Sequence, residues 1–277
     1  MIKFNTYKIK NTAIWAVVLI GIGGLLFLSV KRKQNASVNA LVIHITAKEN
    51  GRLVQEDDVR KLVVKSIGFE PKKKSIRKIN SKKLEADLKK DPRINNVEVY
   101  FDSKDKMHVK LLPKEVIVRI SDASGKQYFL DEKGQQVPVM KGGAVRVPLA
   151  NGHINAYEKG FDTKVGKTAL KDIFLIVKYI HKDEFLHALI EQIYVDEARE
   201  IILIPKVGKE NLVFGGAENM EDKFDNLKIF YRDGMTKLGW NRYPALNLKY
   251  LNQVVLVNSS PVNAPVASGE TNYIHQH

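Results

Sequence analysis

His181, Glu184 and His187 stand close together in one short stretch and carry the donor atoms of a transition-metal site. Each three-residue step falls about 60° short of a full helical turn. The three donors therefore drift around a helix, and that spacing favours a solvated helix face over a metal centre. His44, His108 and His153 lie far apart in the chain, and Asp131, Asp162 and Asp196 have no spacing that pairs two catalytic carboxylates. The chain has no cysteine, which removes thiolate nucleophiles, disulfides and every Cys-based zinc or iron–sulfur site. Gly142–Gly143 and Gly215–Gly216 lack the lysine and hydroxyl residue of a phosphate loop, and neither opens a GxGxxG; turn glycines explain both. The expectation is a protein that is not an enzyme, with no catalytic residue, cofactor, metal or small-molecule substrate.

Two stretches offer recognition in place of catalysis. The first is NLKYLNQVVLV, residues 247–257, apolar and β-branched, with neither a charge nor a proline in Gln253–Val257. Such a strand either lies inside a sheet or forms an edge able to accept another chain's strand. The second is a basic run that includes Lys72, Lys73, Lys74, Arg77 and Lys78, in a chain of formal net charge +14. A solvated loop accounts for it, and so does contact with anionic lipid headgroups, at ~1 kcal/mol per well-placed charge. Nucleic-acid binding is not expected, because the run has no zinc finger, aromatic RNA-binding pattern or glycine-rich clamp.

The elements that must position these stretches begin with a membrane segment. Thr12–Val30, TAIWAVVLIGIGGLLFLSV, is nineteen residues without a charge, roughly 28 Å as a helix against a hydrocarbon core of ~30 Å. It is longer than a signal peptide's apolar region and runs directly into Lys31, Arg32 and Lys33, so an uncleaved anchor is expected. Residues 1–11 then form a short cytoplasmic tail, with the foldable remainder on the other side.

Residues 38–113 read as strand, helix, helix, strand, strand. Leu41–Thr46 is a β-branched run, and Val59, Leu62, Val63 and Ile67 recur at helical spacing with Gly68 as the stop. Ser81 is placed as the N-cap of a second helix to Lys90, and Asn95–Phe101 with Met107–Leu112 as a hairpin. Residues 114–257 read as a β-rich domain with flanking helices. Its strands are placed at 116–121, 127–130, 136–139, 145–149, 193–195, 201–204, 212–214, 245–250 and 253–257, its helices at 168–180, 185–190 and 217–232. Residues 258–277 form a tail with nothing to build a core. The expected fold class is α+β.

In that order the segments resemble the FtsQ/DivIB family of bacterial cell-division proteins. INSKKLEADLKKDPRINNVEVYF (79–101) resembles the family's second POTRA helix and following strand. MHVKLLPKEVIVRI (107–120), YFLDEKGQQVP (128–138) and ENLVFGG (210–216) resemble its run into the β domain, its Asp–x–x–Gly hairpin and a later strand, and ALNLKYLNQVVL (245–256) its closing strand. Lys114–Glu115–Val116 stands for the family's Arg–x–Pro, Asn247 for its aspartate and Lys249 for its arginine. The resemblance implies an anchor, a small βααββ POTRA domain and a β domain. It also implies a non-enzymatic divisome scaffold at the septum of the cytoplasmic (inner) membrane, with its bulk extracytoplasmic. The implied partners are single-pass proteins of the FtsB and FtsL kind, and the link is to septal cell-wall synthesis. Tyr250 matches the family's tyrosine at the partner-binding edge and Asn252 a small polar position after it. Gln253, Val254, Val255, Leu256 and Val257 would supply backbone bonds and apolar contacts. An envelope-biogenesis protein with a POTRA domain and a cell-wall enzyme with an unrecognised site are the alternative readings.

Overall fold

The computed structural model describes residues 15, 18–24, 36–46, 51–140, 144–239 and 242–258. Within the expected anchor, Trp15 and residues 18–24 are helical, and Trp15, Leu19 and Ile20 are exposed apolar side chains. No helix among the described residues is long and apolar enough to cross a membrane. The rest of the expected span, the residue 1–11 tail and residues 259–277 lie outside them. The chain divides into two compact units, one holding residues up to Thr46 together with Val54–Pro113, the other Ala47–Leu53 and the chain from Lys114 onward.

In the first unit, β1 (Leu41–Ile45), α1 (Glu56–Ile67), α2 (Ser81–Leu88), β3 (Ile94–Phe101) and β4 (Met107–Pro113) follow the expected βααββ order. The strand β2 (Gly51–Arg52) belongs to the second unit. The sheet order is β1-β4-β3, with β1 parallel to β4 and β3 antiparallel to it. Helix α1 forms because Val59 and Val63 share a buried face, and it stops where Gly68, at φ 80°, donates its N–H to the Val64 carbonyl. Asn80, not Ser81, is the N-cap of α2: its side-chain oxygen accepts from Lys83 N at 3.0 Å. Val59, Val63, Leu84 and Leu88 are buried, as are Met107, Val109 and Leu111 at alternate positions of β4. Arg93, 4% exposed, is the one buried cation of this unit among the described residues. It donates to both Asp91 oxygens at 2.8 and 2.9 Å and to Asp58 of α1 at 2.9 Å. That ties the entry to β3 onto the first turn of α1.

The second unit is built on a nine-stranded sheet. Its elements are β5 (Val116–Ser121), β6 (Gln127–Asp131), β7 (Gln136–Pro138), β8 (Ala144–Val145), β9 (Leu149–Gly152), α3 (Ala169–Lys182), α4 (Glu184–Leu189), β10 (Ile190–Val195), β11 (Ile201–Pro205), β12 (Asn211–Gly215), α5 (Met220–Ile229), α6 (Met235–Leu238), β13 (Ala245–Asn247) and β14 (Val255–Val257). The strand order is β14-β13-β12-β11-β10-β9-β5-β6-β7, and β2 pairs with β8 separately. The single extended piece expected at 145–149 is two strands, β8 and β9, with Pro148 between them. β9 lies between β5 and β10, parallel to both. Gly152 ends it at φ +97°, and a Cβ there would sit 2.1 Å from the Val195 carbonyl oxygen, so only glycine fits.

Helix α3, capped by Thr168, buries Leu170, Ile173, Phe174, Ile176, Val177 and Ile180 in the core of this unit. Phe224 of α5 packs its ring 4.7 Å from that of Phe214 on β12. Every residue of β11 is buried, so this strand is covered on both faces. The helix expected at 217–232 runs over Met220–Ile229, continues as a wider turn over Phe230–Gly234, and ends in α6.

Candidate functional site

The C-terminal strand pair ends the sheet. β13 pairs in parallel with β12, and β14 pairs antiparallel with β13, in the register Ala245↔Val257, Leu246↔Leu256 and Asn247↔Val255. Among the described residues β14 has no strand on its other side. Both strands are shorter than the sequence suggested, because the chain turns earlier. Leu248 is buried and donates its N–H to the Val213 carbonyl at 2.9 Å, which continues the β12 ladder for one more step. The Asn247 side chain then accepts from Lys249 N at 3.0 Å and bends the chain away from the sheet. Lys249 lays its aliphatic stem across Gly215, where a Cβ would meet Lys249 Cγ and Cδ at 3.1 Å, and pairs its ammonium with Glu200.

This turn leaves Tyr250 and Leu251 51% and 61% exposed, and Asn252 in the left-handed region at φ 59°. Tyr250, Gln253 and Val254 thus belong to the connection before β14 instead of to a strand, which corrects the sequence expectation, and Asn252 lies in the same connection. Val254 and Leu256 pack against the core, so Leu256 is anchored while Val255 and Val257 alternate to the opposite face. Leu251 was passed over in the sequence. Its apolar type beside Tyr250 was visible, but its exposure depends on the Asn247 turn.

Beneath the turn lies a buried cation. Lys223 of α5 is 6% exposed and donates to the Phe214 and Gly216 carbonyls at 2.9 and 3.0 Å, with its ammonium 4.8 Å from the Phe214 ring centre. Burial lowers its pKa below the ordinary lysine value, against the opposing pull of Glu218 and Asp172. The end of β12 that supports β13 is therefore fixed by a side chain and not by solvent.

Two of the other sheet edges, β7 and β3, are closed in ways β14 is not, whereas β1 of the first unit, Leu–Val–Ile–His–Ile, is an edge with no proline and no Asp, Glu, Lys or Arg. β7, at the far end of the nine-stranded sheet, carries Pro138. On β3 of the first unit, the Val99 amide is taken by the Glu85 carboxylate at 2.7 Å. Charges and prolines of this kind block strand addition. β14 reads Val–Leu–Val, half-buried, and has neither.

The basic residues Lys72, Lys73, Lys74, Arg77 and Lys78 are all exposed, in the connection between α1 and α2. Their loop is held down by its backbone. Lys73 N donates to the Val38 carbonyl, Val38 N to the Lys74 carbonyl and Ile76 N to the Ala36 carbonyl, at 2.8 to 3.0 Å.

His181, Glu184 and His187 do not form one cluster. The chain breaks at Asp183, which caps α4, and Glu184 opens that helix exposed to solvent. His181 instead meets Glu115 and Glu132, with Nε2 at 3.3 and 3.5 Å from their carboxylates. Nothing local in the sequence marks this grouping.

A mixed α+β chain with a POTRA-like module followed by a β-rich module is the class that this topology defines. Residues 37–112 match the family model for the POTRA-like domain. Residues 115–256 match the model described as FtsQ/DivIB, C-terminal related. No curated protein matches the chain. The chain belongs to the FtsQ/DivIB family.

Proposed function

We propose that this protein is a non-enzymatic cell-division scaffold, anchored in the bacterial inner membrane by residues 12–30 with its two units on the outer side. In this reading it holds FtsB-like and FtsL-like partners at the septum and links them to septal cell-wall synthesis. Membership of the family supports the cell-division role. The observation that carries the binding mode is β14: a sheet edge paired on one side among the described residues, with neither charge nor proline to repel an incoming strand.

Magnitudes say what else the site needs. A strand of three residues offers two or three outward main-chain bonds, each contributing about 1 kcal/mol net. That falls well short of the ~8 kcal/mol of a micromolar complex. Side chains must supply the remainder, and the exposed Tyr250 and Leu251 stand beside the edge to do so. Capture of the full-length protein from detergent-solubilised membranes, with co-purifying proteins identified, tests this. The Val255 N–H faces Asn247 of β13, so Val255→Pro detaches β14 as a docking edge; it should eliminate the FtsB-like partner while exchange in the first unit stays unchanged. Undiminished recovery of that partner would move binding elsewhere.

A second reading concerns the basic loop. Its backbone is bonded to residues 36–38, and Ala36 follows the apolar segment by only six residues, a reach of at most about 20 Å. That tether keeps the five cations near a headgroup layer and favours contact with anionic lipid.

A further inference from the structure

We infer that Glu115, Glu132 and His181 form a site for a divalent cation of the zinc class, which clamps three separate segments of the second unit together. The candidate ligand atoms all lie within 4.8 Å of one another. Two of the separations, 3.3 and 3.5 Å from His181 Nε2 to the two carboxylates, match the ~3.3–3.4 Å edge of a tetrahedron with metal–ligand bonds of ~2.0–2.1 Å. One imidazole and two carboxylates give a set that suits zinc, and the nitrogen disfavours magnesium and calcium. Two carboxylates also neutralise a dication.

The donors come from elements that are independently fixed. Glu115 precedes β5 and Glu132 follows β6, and Glu132 N donates to the Glu115 carbonyl at 3.3 Å. Asp131, next to Glu132, is not available as a donor: it accepts from Lys133 N and Gln135 N and is paired with Lys114 at 3.0 Å. His181 lies in the last turn of α3, where the carbonyl end of the helix dipole favours a cation. The His187 ring sits edge-on to it, with centroids 5.8 Å apart. The fourth position is left to His187 or to water. This goes beyond the scaffold role and does not depend on it.

The test uses the full-length chain in detergent with His275 and His277 replaced by asparagine, so that the tail imidazoles cannot compete. After metal stripping it is titrated with zinc chloride and, separately, magnesium chloride, by calorimetry and by thermal unfolding. One zinc per chain with a Kd near or below about 1 µM, a raised Tm and no comparable magnesium uptake are expected. Glu132→Gln, which changes a side chain 55% exposed, and His181→Ala should each weaken zinc at least about tenfold. No zinc uptake, magnesium binding as tight as zinc, or zinc retained by both variants (on His44 and His108, 3.3 Å apart, for example) would overturn the site.

Discussion

Replacing Arg93 by methionine keeps most of its stem volume but removes three charge-assisted bonds, two to Asp91 and one to Asp58. The guanidinium side chain is 5% exposed and that of Asp91 only 11%, so water cannot take its place. Breaking a buried pair from one side costs about 3–5 kcal/mol, chiefly by stranding the remaining charge. The partly exposed Asp58 recovers some solvation, which places the expected loss near the lower end, about 3 kcal/mol. Hydrogen exchange on the full-length protein reads this by region: amides of β3, β4 and α1 should lose about two orders of magnitude of protection, those of β10–β12 none. Acid adds an independent check. Burial raises the Asp91 pKa, yet its bonds to Arg93 outweigh that and hold it below the ordinary carboxylate value. Its stabilisation is therefore complete above about pH 4 and is lost as pH falls through the lower folded value. In Arg93→Met the bonds are gone and burial alone acts on Asp91, so acid neutralises a stranded charge and the stability gap between variant and parent should narrow as pH falls. A loss under about 1 kcal/mol at neutral pH, or a gap that does not narrow in acid, would refute the claim that this pair pins α1 to β3.

Gly152→Ala should destabilise the second unit by more than about 2 kcal/mol, combining a strained positive φ with a clash on the Val195 carbonyl; urea unfolding followed by exchange at β9 and β10 measures it, and a neutral effect would contradict the β9–β10 pairing. In nanodiscs with anionic lipid, exchange at residues 72–78 should be slower than in zwitterionic nanodiscs, and about 1 M salt, with its screening length of ~3 Å, should remove the difference. Identical exchange in both lipids would assign the basic loop to solvent.

The first unit was readable because its signals are local. Val59 and Val63 at helical spacing, Met107, Val109 and Leu111 at alternate positions, and Gly68 as a stop each report on a few neighbouring residues. Asn80 escaped because a serine follows it, and either side chain can cap a helix. In the second unit β9 was missed: Leu–Ala–Asn–Gly has no β-branched residue, and its strand character comes from β5 and β10 on either side. The shortening of β13 followed from one side-chain bond, Asn247 to Lys249 N. The apolar character of residues 254–257 was plain in the sequence, whereas their position at the end of nine strands depends on strand order. The Glu115–Glu132–His181 group was hidden for the same reason. Its members are 17 and 49 residues apart (115 to 132, 132 to 181) and meet only through packing of α3 on the sheet.

The proposed binding mode is tested most directly by amide exchange at residues 254–258 in the full-length protein, with and without the captured FtsB-like partner. Strand addition predicts that the Leu256 amide, which faces away from β13, becomes protected on binding and that Val255→Pro, by detaching β14, abolishes both the protection and the complex. A tight complex that leaves exchange at β14 unchanged would contradict it.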